Sequence, residues 1–199
     1  MTGLETRVRE AIGSHPAIRD VQLVGSRARG DFTEYSDWDF GIATEDVDVV
    51  CEALPSLTGR LDPIAAFWDP LAHHPCYMAI LSGPVKVDFL LEGTRELEQP
   101  YVLSGATLPQ IDVHFWDWSL WLTSKAAHRK DELVRAELEK MHGFLLSPMG
   151  VSTVPRDLGE AVDRYVATRD AAEARFGVEL PRRLASEVEP VVRRVMSEV

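Results

Sequence analysis

The chain has 199 residues, 45% hydrophobic and 27% charged, a length for one domain or two small ones and a composition that supports a sizeable core. Lys and Arg number 21 against 32 Asp and Glu, a formal net charge of −11. That acid excess argues against a protein that holds nucleic acid chiefly by charge, because such binding needs a basic surface to displace counterions; a local basic patch is still allowed, and no stable nucleic acid partner is expected.

Residues 4–13 predict a short helix, with Leu4, Val8 and Ala11 on one side and Gly13 near its stop. Residues 20–24 read as a strand that runs directly into Gly25-Ser26-Arg27-Ala28-Arg29-Gly30. Residues 37–43 form a second strand in which acidic and bulky apolar residues alternate. Its period of two sends Asp37 and Asp39 to one side of the sheet and Trp38 and Phe40 to the other. A helix is expected over 46–54, against the weak propensity of Val47, Val49 and Val50. Three more strands follow at 64–68, 76–81 and 85–91, the last two joined as a hairpin across Ser82-Gly83-Pro84. On the last strand Lys86, Asp88 and Leu90 share a face. Asp88 thus sits in an apolar strand, where a carboxylate is paired, bound to a metal or at the solvent edge, and Lys86 is within reach as its pair.

The pattern changes after residue 92. Residues 93–111, with Gly93, Pro100, Gly105 and Pro109, read as a connection containing one helical turn. Helices are expected at 112–127, 130–146, 157–176 and 181–197, interrupted by Gly143, Ser147-Pro148-Met149-Gly150, Gly177 and Pro181. The expected fold is α+β: a small mixed β-sheet domain with flanking helices over 1–95, followed by a C-terminal helical bundle over 96–199. Trp116, Trp118 and Trp121 read as packing residues, His73-His74 as a loop pair without a third metal ligand, and Cys51 and Cys76 as small buried hydrophobes.

The residues that carry chemistry lie in the first half. Two carboxylates one residue apart, Asp37 and Asp39, reach the same space above a sheet, and Asp88 from a neighbouring strand completes a cluster. Bound Mg²⁺ offsets the repulsion within such a cluster and supplies the Lewis acid that phosphoryl chemistry needs. Gly25 and Gly30 allow a tight passage from strand to helix, where backbone N–H groups and the Ser26 hydroxyl hold phosphate oxygens. Arg27 and Arg29 are further phosphate candidates, only one of which the helix aims inward.

Gly25-Ser26-x-x-x-Gly30, Ser36-Asp37-x-Asp39 and the later strand carboxylate Asp88 together resemble the DNA polymerase β-type nucleotidyltransferase superfamily over residues 18–91. Within it, the chain is similar to the minimal nucleotidyltransferase domains and to the antibiotic nucleotidyltransferases that act on aminoglycosides and lincosamides. The resemblance implies that Asp37 and Asp39 ligate metal and that Asp88 is the third carboxylate, as ligand or base. It implies two Mg²⁺ ions, ATP or another NTP as co-substrate, and a nucleotide site built from Gly25, Ser26, Arg29, Gly30 and Ser36. Ser36 would also support the turn that presents Asp37.

The expected reaction is attack of an acceptor hydroxyl on the α-phosphorus of an NTP, with pyrophosphate leaving. An acidic chain favours a small cationic acceptor such as an aminoglycoside, and Asp112, Asp117, Asp131 and Glu132 are carboxylates that could line its site, one of which could serve as the base instead of Asp88. Two other readings stay open: an antitoxin-like minimal nucleotidyltransferase that modifies a protein hydroxyl, and a nucleotide-binding module without turnover. The aromatic segment at 116–121 offers apolar surface for a homodimer. No uncharged run reaches the roughly 18 residues of a membrane span, residues 1–10 lack a basic segment followed by an apolar one, and the two cysteines have no metal or redox spacing. A cytoplasmic protein is the expectation.

Overall fold

Five segments rich in β-branched and aromatic residues form one mixed sheet in the computed structural model, which describes residues 3–198. They are β1 (Ile18–Val24), β2 (Trp38–Thr44), β3 (Ala65–Trp68), β4 (Cys76–Leu81) and β5 (Val85–Leu91). Across the sheet the order is β1, β2, β5, β4, β3, and only β2 and β5 run parallel. A parallel pair needs a crossover, which here is the helix α3 (Val47–Thr58) followed by β3 and β4. Asp46 starts α3 by accepting the Val49 N–H at 3.1 Å, so a capped N-terminus offsets the poor helix propensity of the valines.

Alternation along the strands divides the sheet into two faces. One meets α1 (Gly3–Ile12) and α3 and carries Phe40, Ile42, Val87 and Phe89, packed with Val8, Ile12, Val50 and Leu54. Phe40 and Phe89 are both fully buried, with ring centroids 6.3 Å apart. The other face carries Asp39, Lys86 and Asp88. The short helix α2 (Gly25–Arg29) leaves directly from β1 and ends at Gly30, whose φ of 76° is a conformation that favours glycine.

The chain divides into two compact units, Met1–Glu98 and Gln99–Val199. The second consists of α4 (Leu108–Ala127), α5 (Asp131–Met141), α6 (Leu158–Phe176) and α7 (Arg183–Glu198). The helix expected over 130–146 changes character at its end, where His142–Leu146 is a π-helical turn closed by Ser147 N–H to the His142 carbonyl at 2.7 Å. Helix α6 begins at the N-cap Asp157, which accepts the Glu160 N–H at 2.8 Å, while the Glu160 carboxylate accepts the N–H of Arg156, one residue before the cap, at 2.7 Å. Among the described residues no helix is long and apolar enough to cross a membrane.

Helix α4 is buried on nearly every side, polar residues included. Asp112 accepts from Tyr165 Oη at 2.6 Å and Trp116 Nε1 at 3.2 Å, with Arg169 Nη1 at 3.9 Å. Phe115 stacks on Tyr165, and His114 on Trp118. The aromatic surface that allowed for a homodimer is therefore largely consumed inside the chain: Trp116 and Trp118 are buried, and Lys125 Nζ lies 4.7 Å from the ring of half-buried Trp121.

Truncating a fully buried aromatic leaves a cavity, so Phe40→Ala should cost about 3–5 kcal/mol in chemical denaturation of the first unit. In the second unit, the N–H and guanidinium of Arg156, with Arg164, hold the Glu160 carboxyl down at about 2, against its ordinary 4.5. A folded value below the unfolded one adds stability that is complete above pH 4.5 and lost as the pH falls toward 2. The denaturation midpoint of Glu160→Gln should accordingly lie below that of the wild type at neutral pH, and the gap should close in acid.

Candidate functional site

Strand register builds the site. In the parallel ladder Trp38 lies opposite Val87, Asp39 opposite Asp88 and Phe40 opposite Phe89. The two carboxylates are thus neighbours on the face away from α1 and α3. On the other side of β2, Val24 is the last β1 residue to pair, opposite Asp39, before the chain turns into α2. The strand expected from residue 37 consequently starts at Trp38, and Asp37 lies just ahead of it.

With no β1 partner, the carbonyls of Ser36 and Asp37 are taken by Arg27. Its Nε donates to both at 3.0 Å and its Nη2 to Ser36 at 2.7 Å. The guanidinium also lies 4.2 Å from the Trp38 ring centroid and 4.8 Å from that of Phe32. Burial pulls the Arg27 pKa down, while the charges of Asp37 and Asp39 pull it up. Arg27, read from the sequence as a phosphate candidate, is a brace for the loop that presents Asp37. Ser36 does what a turn serine does: its hydroxyl accepts the Thr33 N–H at 3.0 Å.

Gly25 is required for two reasons. Its φ of 69° is costly for any side chain, and an ideal Cβ placed there would stand 2.0 Å from Asp39 Oδ2. Ser26 follows it, half-buried at the start of α2, whereas Arg29 and Gly30 are exposed at its end. Asp31 N–H closes the loop onto the Ser26 carbonyl at 3.0 Å.

Asp88 is 8% exposed and pairs with Lys86, whose Nζ lies 2.8 Å from Oδ1. Lys86 Nζ also lies 2.9 Å from Met78 Sδ. Asp69, just past the end of β3, belongs to the same neighbourhood and did not stand out in the sequence. Burial raises its carboxyl pKa and the Asp88 charge adds to that, while the Leu71 N–H at 2.7 Å and the Lys86 charge oppose it. Its signal was the strand alternation, which puts Asp69 in phase with Phe67.

Hard carboxylate oxygens such as those of Asp37 and Asp39 are the donors that Mg²⁺ takes. Asp88 is the register neighbour of Asp39 on the same face. Among the described residues no group of three or more His, Cys, Asp and Glu side chains is gathered as a metal site. His73 and His74 are exposed, Cys76 is buried and Cys51 half-buried. Of the second-unit carboxylates, Asp112 and Asp117 are buried, and Asp131 and Glu132 lie exposed in the first turn of α5.

No curated protein matches the chain. Solved structures that resemble it include a chain of the GLD-2/RNP-8 complex, at 17% identity and a TM-score of 0.37, covering 62% of this chain and 39% of that one. An aminoglycoside 6-adenyltransferase from Bacillus subtilis matches at 12% identity and a TM-score of 0.34, over 96% of this chain and 97% of its own. The polymerase core of TRAMP, an RNA surveillance complex, matches at 12% identity and a TM-score of 0.40, over 96% of this chain and 53% of its own. The family model of the nucleotidyltransferase domain matches residues 5–141, more than half of the chain, and the protein belongs to that family.

Proposed function

We propose that this nucleotidyltransferase moves a nucleoside monophosphate, from ATP, to a hydroxyl of a small molecule in a reaction that depends on a divalent cation. The observation that carries the reading is the register pairing of Asp39 with Asp88 beside the Gly25 turn, inside the part of the chain that the family model matches. Asp37 and Asp39 would hold Mg²⁺, which when bound supplies Lewis-acid stabilisation of charge on the phosphates. Ser26, with the backbone at the start of α2, positions the triphosphate. Arg27 fixes the carbonyls of Ser36 and Asp37 and thereby the entry of Asp37 into the site.

The acceptor oxygen forms a bond to the α-phosphorus as the bond to the pyrophosphate oxygen breaks. Asp88, beside Asp39 in the ladder, takes the acceptor proton. Most of the acceleration in such a transfer comes from position and charge, so a small set of fixed groups suffices. The net charge of −11 favours a cationic acceptor such as an aminoglycoside. Asp112 is poorly suited to be the base, because Tyr165, Trp116 and Arg169 surround its carboxylate.

Pyrophosphate release with Mg²⁺ and each NTP, across a panel of aminoglycosides, lincosamides and simple polyols, tests the reading. Release should require an acceptor and should fall by about 100-fold or more in Asp37→Asn/Asp39→Asn. Release that persists in the double variant, or none with any acceptor, would sink it. Gly25→Ala, which drives a methyl group against Asp39, should keep the circular dichroism of the wild type and lower release by about tenfold or more.

A further inference from the structure

A lysine in the interior of a sheet is retained only against partners. Lys86 is 4% exposed, with its ammonium between Asp88 Oδ1 at 2.8 Å and Met78 Sδ at 2.9 Å. Register sets this geometry: β4 places Met78 opposite Asp88 and Ile80 opposite Lys86, while β2 places Asp39 on the far side of Asp88. Asp88 therefore stands between a fixed cation on its own strand and the carboxylate that would hold a metal ion.

We propose that Lys86 is the built-in counter-ion of the third carboxylate: it keeps Asp88 out of the metal's coordination shell, so that the chain takes one divalent cation, on Asp37 and Asp39, and Asp88 is left for the acceptor. The proposal rests on the assignment of Asp37 and Asp39 as the cation pair. A divalent ion and an ammonium on one carboxylate would be like charges a few ångströms apart, in surroundings that screen them poorly. Lys86 cannot yield cheaply, because withdrawing it from Asp88 leaves a buried charge without its partner.

Titration of the whole protein with Mn²⁺ alone, with free Mn²⁺ read by electron paramagnetic resonance, counts the ions directly. The wild type should bind one per chain, Asp37→Asn/Asp39→Asn none, and Lys86→Met, checked for folding by circular dichroism, two. A wild type that binds two ions overturns the role of Lys86 while leaving the cation pair intact. A folded Lys86→Met that still binds one also overturns it. No bound ion in the wild type, or one retained by Asp37→Asn/Asp39→Asn, overturns the cation pair and the proposal together. Lys86→Met/Asp88→Asn removes both members of the buried pair, which is far milder than removing one. It should bind one Mn²⁺ with affinity within about threefold of the wild type, since Asp88 is not a ligand, and a loss of more than about tenfold overturns the proposal.

Discussion

The parallel pairing of β2 with β5 is the constraint on which the site depends. It sets Asp39 beside Asp88 and, one residue on, Phe40 beside Phe89. Alternation then sends the aromatic pair into the core under α1 and α3 and the carboxylates to the opposite face. A slip of one residue between the strands would exchange the two sets, burying charge in the core and exposing the phenylalanines. Core and site are thus fixed by one register, and the apolar contacts of Phe40 and Phe89 hold the carboxylates in place.

Charge on the site face is handled by two cations of the first unit. Arg27 spends its donors on the carbonyls of Ser36 and Asp37, groups orphaned because β1 turns into α2 after Val24. Flanked by Trp38 and Phe32, its guanidinium is pre-organised for that task. Lys86 answers Asp88 from the same strand. A carboxylate beside a fixed ammonium and a carboxylate on a loop ahead of a strand are different chemical objects, although the sequence writes both as Asp.

Helix α4 of the second unit uses its polar residues for architecture. Asp112 collects Tyr165 and Trp116, and Phe115 stacks on the same tyrosine. Burial raises the pKa of Asp112, opposed by the Tyr165 hydrogen bond and the Arg169 charge, and burial pushes that of Tyr165 well up. Such a network specifies how helices meet, provided each member finds a partner.

Local pattern carried far in this chain. The hairpin of β4 and β5 stands at the residues that its turn and alternation predict, and α6 starts where Asp157 can accept the Glu160 N–H as its cap. Alternation alone also put Lys86 and Asp88 on one face, because a period of two is a property of the strand itself. The outcome at longer range was open to no such rule. Whether Asp39 meets Asp88 depends on which strands are neighbours, and whether Arg27 faces phosphate or a carbonyl depends on where β1 stops. The resemblance put Asp37 and Asp88 in one carboxylate set, yet strand pairing and burial give one a loop braced by arginine and the other a lysine. The sequence determined the elements, their faces and the set of ionisable groups, through contacts a few residues long. Tertiary structure decided which of those groups share a site and which neutralise each other, since partners distant in the chain meet only once the sheet has closed.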